Sequence, residues 1–443
     1  MSELNLDTIN IHHPQRYAQG FPWKEWDLLR DEAPIFWYER DDIEPFWAVT
    51  RYDDVMEVSS NPEIFINGGP RLRLTLKGEA EVLREGLDDF GQERNWDPNE
   101  PADFIFMDNP RHRHMRKLSS WAYTQSNMRG MTKHFEELAR TFTQEFEDAL
   151  SEPANRESGV DMVSEFAAKL PLAAVGEIMG LAPDDWKQIL IWSNAVIGEV
   201  EPEHLLPGET VAHAARRNMY DFRLYLEELI QECRENGAER GGMIDRMVHT
   251  PVQGKLLTDQ QLIGYLFVLI AAGNDTTRNA TAGGIAALME NPTQLQKLHD
   301  YPSLIPQATE EILRWTSPVI NFLRTAIDDY DLAGTKIKAG DTVGVFYPSA
   351  NRDERVFEDP YEFNITRDPN PHITFGFGAH FCLGTNLARA ELNSSLKAIL
   401  PLLPRLEKSG PGHLIGHAHV TGGSRSQSRR DRAPDRTGHR RRR

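Results

Sequence analysis

The residue of this chain that is best suited to bind a metal is Cys382, one of only two cysteines among 443 residues. It lies in the segment FGFGAHFCLG, residues 375–384, whose glycines let the backbone turn tightly beside a flat ligand. The sequence after Gly384 predicts a helix, so the sulfur would lie just before a helix N-terminus. The partial positive charge there lowers the pKa of a thiol and favours the thiolate, which is the form that binds metals. The segment therefore predicts a thiolate ligand.

Other roles for Cys382 can be weighed from the residues alone. Free cysteine is among the most buried residue types, so an ordinary buried thiol stays open as an alternative for this residue taken by itself. A disulfide is disfavoured, because the only other cysteine, Cys233, lies in a polar stretch and the low cysteine count indicates a reducing compartment. Zinc is also disfavoured, since His380 and Cys382 would need further, unidentified ligands.

A second segment with residues suited to chemistry is AAGNDTTR, residues 271–278, at the end of an apolar stretch that begins near Leu262. Asp275 and Thr276 are poor choices for a helix interior, because their side chains compete for backbone hydrogen bonds. The Thr276 hydroxyl could take over a main-chain acceptor and open the helix locally, while Gly273 removes bulk from that face. For this segment alone, a cap or a threonine bonded back to the preceding turn stays open as the alternative.

The segment from Phe375 to Gly384 resembles the haem-binding loop of the cytochrome P-450 monooxygenases. The resemblance implies haem b as cofactor and Cys382 as the axial thiolate ligand of its iron, which in this family favours O–O cleavage. It also implies that Phe375 packs beside the sulfur, that Gly376 and Gly384 shape the loop against the haem, and that His380 hydrogen-bonds a haem propionate.

The same resemblance implies a catalytic role for the segment around Asp275. Asp275 would relay protons and the Thr276 hydroxyl would stabilise the activated oxygen, while Ala272 and Gly273 would border the groove in which O2 binds. Enzymes of the family that use added peroxide usually lack this acid–alcohol pair. The pair therefore favours an enzyme that uses O2 and reducing equivalents as cosubstrates.

Glu311 and Arg314 lie three residues apart and would pair on one face of a helix. Alone this spacing is weak evidence, since exposed pairs of this kind are common and contribute little. It matches the Glu-x-x-Arg signature of the P-450 family, in which the pair also holds an arginine before the haem loop, here Arg367. We interpret the three residues as a structural support for the cysteine loop.

Basic residues in two further segments are candidates to bind the haem propionates. His112 and Arg116 are four residues apart and would share one face of a helix that begins after Pro110. A solvated basic face is the alternative for this pair. Arg324 occupies a position at which the family places an arginine on a propionate. Three neighbouring cations could help to dock an acidic ferredoxin or could form a solvated face: Arg111, Arg113 and Lys117.

Charge is distributed unevenly along the chain, whose formal net charge is −18. Residues 411–443 contain nine arginines, two aspartates and no lysine, a net +7, so residues 1–410 carry −25. An acidic body argues against nucleic acid as a partner. The tail has a composition typical of disorder and lacks the apolar strands with which P-450 chains usually end. We expect one P-450 domain over residues 1–410 and an atypical basic tail over 411–443, for which a frameshift near Gly410 is our hypothesis.

The elements that must position these motifs are mainly helical. Apolar residues recur at helical spacing over residues 131–150, 161–179 and 218–233, whereas residues 46–50 predict a strand and residues 332–343 a hairpin. This agrees with the P-450 fold, mainly α with a minor β-sheet region and the haem between an oxygen-binding helix and a cysteine loop. The N-terminus has no signal peptide, and the longest apolar run is too short to cross a bilayer. We expect a cytoplasmic protein without a membrane span.

The motifs together predict a haem-thiolate monooxygenase that inserts one oxygen atom of O2 into a C–H bond of a hydrophobic substrate. Because no glycine-rich loop for NAD or a flavin is visible, electrons should come from a ferredoxin-type donor and a separate NAD(P)H-dependent reductase. The motifs resemble those of bacterial P-450 enzymes that hydroxylate steroids, branched lipids, alkanes or terpenes. A haem protein that binds or senses a ligand without turnover and a peroxide-driven haem-thiolate enzyme stay open as alternatives. Apolar candidates for the substrate pocket are Leu269, Val319, Ile320 and Phe322.

Overall fold

The computed structural model describes residues 4–78, 103–155, 159–196, 205–236, 241–408, 412–415 and 423–426. Within these ranges the chain forms fourteen α-helices. In chain order they are α1 (Pro14–Tyr17), α2 (Trp23–Glu32), α3 (Tyr52–Ser60), α4 (Arg111–Ser120), α5 (Gln125–Ser151), α6 (Lys169–Met179), α7 (Trp186–Val196), α8 (Val211–Asn236), α9 (Gly242–His249), α10 (Asp259–Glu290), α11 (Pro292–Asp300), α12 (Ile305–Thr316), α13 (Tyr347–Ala350) and α14 (Thr385–Ile399).

The strands form one sheet of five and two separate pairs. They are β1 (Ile35–Arg40), β2 (Ile43–Val49), β3 (Phe65–Ile66), β4 (Asn321–Ala326), β5 (Tyr330–Leu332), β6 (Thr335–Ile337), β7 (Thr342–Phe346), β8 (Gly412–Ile415) and β9 (Gly423–Ser426). The large sheet has the order β1-β2-β7-β4-β3, in which only β2 and β7 run parallel. The pairs β5–β6 and β8–β9 are antiparallel hairpins.

Helix α10 is the central element of the fold. It begins at a capping box, in which the Thr258 hydroxyl accepts from the backbone N–H of Gln261 and the Gln261 side chain accepts from the N–H of Thr258. Its 32 residues are buried around most of the helix circumference, because α6, α12 and α14 pack against it. A helix that is apolar on most sides belongs in a protein interior. The sequence thus places the segment with Asp275 and Thr276 inside the molecule.

The mainly helical architecture with a small sheet region confirms the predicted fold class. Helices α5, α6 and α8 cover most of the predicted helical ranges, and a π-helical turn over Val163–Ala167 precedes α6. Strand β2 and the β5–β6 hairpin lie where the sequence predicts them. In the tail, β8 and β9 pair although the composition predicts no strand there, and most of residues 411–443 lie outside the described residues. Among the described helices, none is both long and apolar enough to cross a membrane.

Candidate active site

The cysteine loop, residues 375–384, leads directly into α14. The backbone N–H of Cys382 donates to the carbonyl oxygen of Phe375 at 2.9 Å, which closes the loop into a compact turn. The Thr385 hydroxyl donates to the carbonyl oxygen of Cys382, also at 2.9 Å. Gly384 is the N-cap residue of α14, so the sulfur lies two residues before the helix cap.

Two glycines of this loop have backbone conformations that other residues adopt only with strain. Gly376 and Gly378 have φ values of +69° and +72°. A Cβ atom on Gly378 would also lie 2.1 Å from the carbonyl oxygen of Ser59, so the loop could not pack against the end of α3. The turn therefore requires both glycines, and the close approach to α3 is a further reason for Gly378.

The electrostatics of the thiol differ from the expectation raised by its sequence position. Burial raises the pKa of the Cys382 thiol, although the Gly384 N–H, the Thr385 hydroxyl and the charges of Arg116 and Arg389 favour the thiolate. The expectation of a lowered pKa is thus wrong, because desolvation of the sulfur outweighs the donors at the start of α14. A coordinated metal ion would reverse this shift of the thiol pKa, since a metal ion deprotonates a ligating thiol outright.

Helix α10 borders the cavity beside Cys382 through Ala272, Gly273 and Thr276. The Thr276 hydroxyl donates to the carbonyl oxygen of Ala272 at 2.9 Å, so it is bonded back to the preceding turn. The predicted local opening is absent, because α10 continues unbroken through this segment. A Cβ atom on Gly273 would lie 2.6 Å from Val175 on α6, so glycine here permits the close packing of the two helices.

Asp275 is buried but does not line the cavity. Its Oδ1 forms an ion pair with Arg278 and accepts from the Asn279 amide at 3.2 Å. Arg278 in turn donates to the side-chain oxygen of Asn194 on α7 at 3.0 Å. The second carboxylate oxygen, Oδ2, is buried without a hydrogen-bond partner. The structure therefore places the predicted acid in an ion pair facing α7, one residue from the threonine that faces the cavity.

A cavity of about 200 Å³ lies between α10 and the cysteine loop. Three of the four predicted pocket residues line it, and the fourth, Ile320, does not. Ile320 is fully buried in a separate core cluster with Phe46 and Phe346 against the sheet, which corrects its assignment to the pocket. Several predicted cofactor residues line the same cavity, together with these pocket residues: Leu269, Ala272, Gly273, Val319, Phe322, Phe375, Gly376, His380, Cys382 and Gly384.

Four cationic or potentially cationic side chains gather at one side of this cavity. The rings of His112 and His380 stack with their centroids 4.0 Å apart. Burial, together with neighbouring positive charges, lowers the pKa of His112 to about 4 and that of His380 to about 2. Arg116 and Arg324 line the cavity, and Arg116 donates to the carbonyl oxygen of Phe381 at 2.6 Å.

This cationic group fits an anionic ligand. Nε2 of His112 is buried without a hydrogen-bond partner. Arg324 donates to the carbonyl oxygen of Leu323 at 2.9 Å and hydrogen-bonds the Tyr347 hydroxyl, but burial still lowers the pKa of its guanidinium, so an anion beside it would offset the cost of burying its charge. The two propionates of a haem would supply such partners, and Cys382 on the wall of the same cavity would supply the metal ligand. The residues present are therefore those that a haem requires.

Glu311 and Arg314 form a fully buried ion pair on α12, with two N–O distances of 2.8 Å. Nε of Arg367 lies 3.3 Å from the same carboxylate, so the structure brings the three predicted residues together. Arg314 also donates to the carbonyl oxygens of Asn351 and Pro360, at 2.9 and 2.8 Å. The pair thus fixes the irregular chain that leads from β7 towards the cysteine loop.

Three residues at or beside the site were not predicted from the sequence. Tyr123 and Tyr347 line the cavity, and nothing in their sequence neighbourhoods marks them. Glu391 on α14 is fully buried, and burial raises the pKa of its carboxyl to about 8, although the Thr277 hydroxyl favours the ionised form. Glu391 lies four residues after the apolar Leu387, so a charge on an apolar helix face is the signal that could have revealed it.

Comparisons with known proteins agree with this geometry. The family model described as cytochrome P-450 matches residues 75–300 and 303–402. The chain is 33% identical to the steroid C26-monooxygenase of Mycobacterium tuberculosis, over 89% of this chain and 86% of that protein. It is 32% identical to the linalool 8-monooxygenase of Pseudomonas putida, over 91% and 94%. A cytochrome P-450 of Mycobacterium marinum, solved in complex with pseudoionone, superposes with a TM-score of 0.81 at 30% identity, covering 96% of this chain and 99% of that one. The chain therefore belongs to the cytochrome P-450 family.

Proposed function

We propose that this protein is a haem-thiolate monooxygenase that inserts one oxygen atom of O2 into a C–H bond of a hydrophobic substrate. The observation that carries the proposal is that a cysteine thiol and a threonine hydroxyl border the same cavity as Arg116, Arg324 and His380. Cys382 would hold the iron, while His112, His380, Arg116 and Arg324 would hold the propionates. Haem held in this way supplies the oxidising power, and the protein supplies orientation and proton delivery.

Proton delivery would depend on Thr276 and Asp275. The Thr276 hydroxyl, which donates to the carbonyl oxygen of Ala272, would rotate so that it donates into the cavity instead. Asp275 would relay protons towards Thr276 through Oδ2, the carboxylate oxygen that has no hydrogen-bond partner, after rotation of its side chain. Its ion pair with Arg278 keeps the other oxygen fixed. These roles make Asp275 the acid and Thr276 the group that touches the reacting oxygen.

The substrate would be lipophilic, because several apolar side chains line the cavity. Leu269 comes from α10, and Val319 and Phe322 come from the segment around the start of β4. Burying such a ligand gains roughly 25 cal/mol for each Å² of apolar surface removed from water. The names of the relatives support steroids, branched lipids and terpenes as the compound classes to test, with the methyl-branched lipid omega-hydroxylase of Mycobacterium tuberculosis, 34% identical, as the lipid example.

Electrons would come from a ferredoxin-type protein that is reduced by an NAD(P)H-dependent reductase. The cysteine loop exposes Phe377 and Phe381, with 40% and 41% of their surfaces accessible. The exposed cations Arg113 and Lys117 lie on α4, the helix whose Arg116 contacts this loop. An apolar patch beside basic residues suits an acidic partner, whose binding should weaken as salt increases.

The test is the absorption spectrum of the dithionite-reduced protein with carbon monoxide. We expect a strongly red-shifted Soret band that Cys382→Ala abolishes. Cys233→Ala is the matched control, since it removes a buried thiol that does not line the cavity and should keep the band. If the wild-type protein lacks the band, or if Cys382→Ala keeps it, the proposal is wrong. If the band is present as expected, spin-state shifts on addition of steroids, branched fatty acids and terpenes would identify the substrate class.

A further inference from the structure

A cluster of charged side chains lies behind the cysteine loop, and none of its members lines the cavity. Arg389 on α14 donates to Glu310 on α12 through two hydrogen bonds of 2.7 Å, from Nε to Oε1 and from Nη2 to Oε2. Nε2 of His372, which lies before the loop, is 3.1 Å from the same Oε2. Such a two-pronged pair fixes both the distance and the orientation of the two groups. The cluster thus joins two helices and the chain that enters the loop.

Phe375 contacts this cluster and lines the same cavity as Cys382. The guanidinium carbon of Arg389 lies 4.8 Å from the centroid of the Phe375 ring. The Phe375 ring lines the cavity, and the Phe375 carbonyl accepts from the backbone N–H of Cys382 at 2.9 Å. On the side of the phenyl ring the guanidinium contacts apolar atoms instead of water, so on that side its charge is screened less than it would be in bulk solvent. The positive charge of Arg389 would accordingly favour a negative charge on the side of the loop that holds the sulfur.

Glu310 opposes this effect with a charge of the other sign. Burial alone would raise the pKa of the Glu310 carboxyl, but the hydrogen bonds and charges of Arg389 and His372 lower it to about 2. Glu310 therefore stays ionised throughout the neutral range. The thiolate is thus under a fixed dipole, with its positive end towards Phe375.

We propose that the Glu310–Arg389 pair sets the reduction potential of the haem iron that Cys382 ligates, and that it does so through Phe375. The inference rests on the proposed function. Groups around a ligating sulfur, their charges and their exposure are known means by which a protein adjusts the potential of an iron site. Glu310 and Arg389 are positioning residues, since neither borders the cavity in which the reaction would occur.

The experiment measures the ferric–ferrous potential by anaerobic spectroelectrochemical titration. Arg389→Met keeps an unbranched stem on the Phe375 ring but removes the positive charge, so reduction becomes less favourable and the potential falls. Glu310→Gln removes the negative charge and leaves the positive one, so the potential rises. We expect each variant to change the reduction equilibrium constant severalfold, in opposite directions; tenfold corresponds to 59 mV for a one-electron couple.

Two further variants separate this electrostatic role from a merely structural one. Arg389→Lys keeps the charge and should retain most of the wild-type potential. Lys397→Met removes a cation from the same helix, two turns further along and paired with Glu136 at 2.9 Å, and should leave the potential unchanged. The inference would be overturned if Arg389→Met and Glu310→Gln shifted the reduction potential in the same direction, or if neither variant shifted it. The carbon monoxide band tests the proposed function independently. If the wild-type protein lacked this band, it would contain no thiolate-ligated haem, and the proposed function itself would be wrong.

Discussion

Glu391 provides a test of how burial controls ionisation in this protein. Its carboxyl group is fully buried, and the Thr277 hydroxyl is the polar group that favours the ionised form. Burial raises the pKa of the Glu391 carboxyl from 4.5 to about 8. At neutral pH the group should therefore be protonated and uncharged, in the layer where α14 packs against α10.

The sign of the effect on stability follows from proton binding. Between pH 4.5 and pH 8 the folded protein keeps a proton on Glu391 that the unfolded chain has released, so the free energy of unfolding falls as pH rises. Each pKa unit corresponds to about 1.4 kcal/mol, so the full change between pH 5 and pH 8 is at most about 4 kcal/mol. Below pH 4.5 both states are protonated and the effect vanishes.

The assay compares the wild-type protein with Glu391→Gln in urea denaturation at pH 5, 6, 7 and 8. Glutamine cannot ionise, so the wild-type protein should lose stability relative to the variant as pH increases, by up to about 4 kcal/mol. The control is Glu137→Gln, which removes a carboxylate whose side chain is 52% exposed on α5 and should give a much flatter difference. A difference between wild type and Glu391→Gln that stays constant from pH 5 to pH 8 would refute the reasoning.

Three shorter predictions concern the haem site and its support. Thr276→Ala should lower the product formed per NAD(P)H severalfold and increase hydrogen peroxide release, whereas Thr276→Ser should stay close to wild type; unchanged coupling in both would contradict the role of the hydroxyl. Gly378→Ala should abolish haem retention, because Gly378 has a positive φ and a Cβ atom there would clash with the carbonyl of Ser59. In the control Gly340→Ala, the glycine has a positive φ but open space around it, so the free energy of unfolding should fall by only about 1 to 3 kcal/mol and the haem should be kept. Glu311→Gln should reduce the free energy of unfolding by about 3 to 5 kcal/mol, because it leaves buried cations without their counter-charge; a loss below 1 kcal/mol in denaturation would show that the pair is dispensable.

The parts of the site that the sequence predicts are those in which residue type and local spacing settle the geometry. Cys382 lies in a loop whose glycines fix its path, and Glu311 and Arg314 are three residues apart on one helix, so their pairing needs no knowledge of the fold. The orientation of Asp275 could not be predicted, because adjacent residues of a helix point about 100° apart. Which of them faces the cavity depends on how the neighbouring helices pack, and the sequence does not show this. The sign of the thiol pKa shift depends on burial, which only the folded chain determines.

The contrast between Glu310 and Glu311 shows why substitutions of two adjacent, identical residues can have different effects. Successive positions on α12 face different sides, so Glu311 turns into the core towards Arg314, whereas Glu310, 30% exposed, reaches Arg389 on α14. A buried pair that loses one partner leaves an uncompensated charge without water, so changes at Glu311 should act on the stability of the fold. The side chains of Arg389 and Glu310 are 35% and 30% exposed, so water can partly replace a missing partner and the loss of stability should be smaller than at Glu311. Changes at Glu310 should therefore cost less stability than changes at Glu311 and, in the proposed haem enzyme, should also shift the reduction potential. The reduction potential is thus the quantity that distinguishes the two residues.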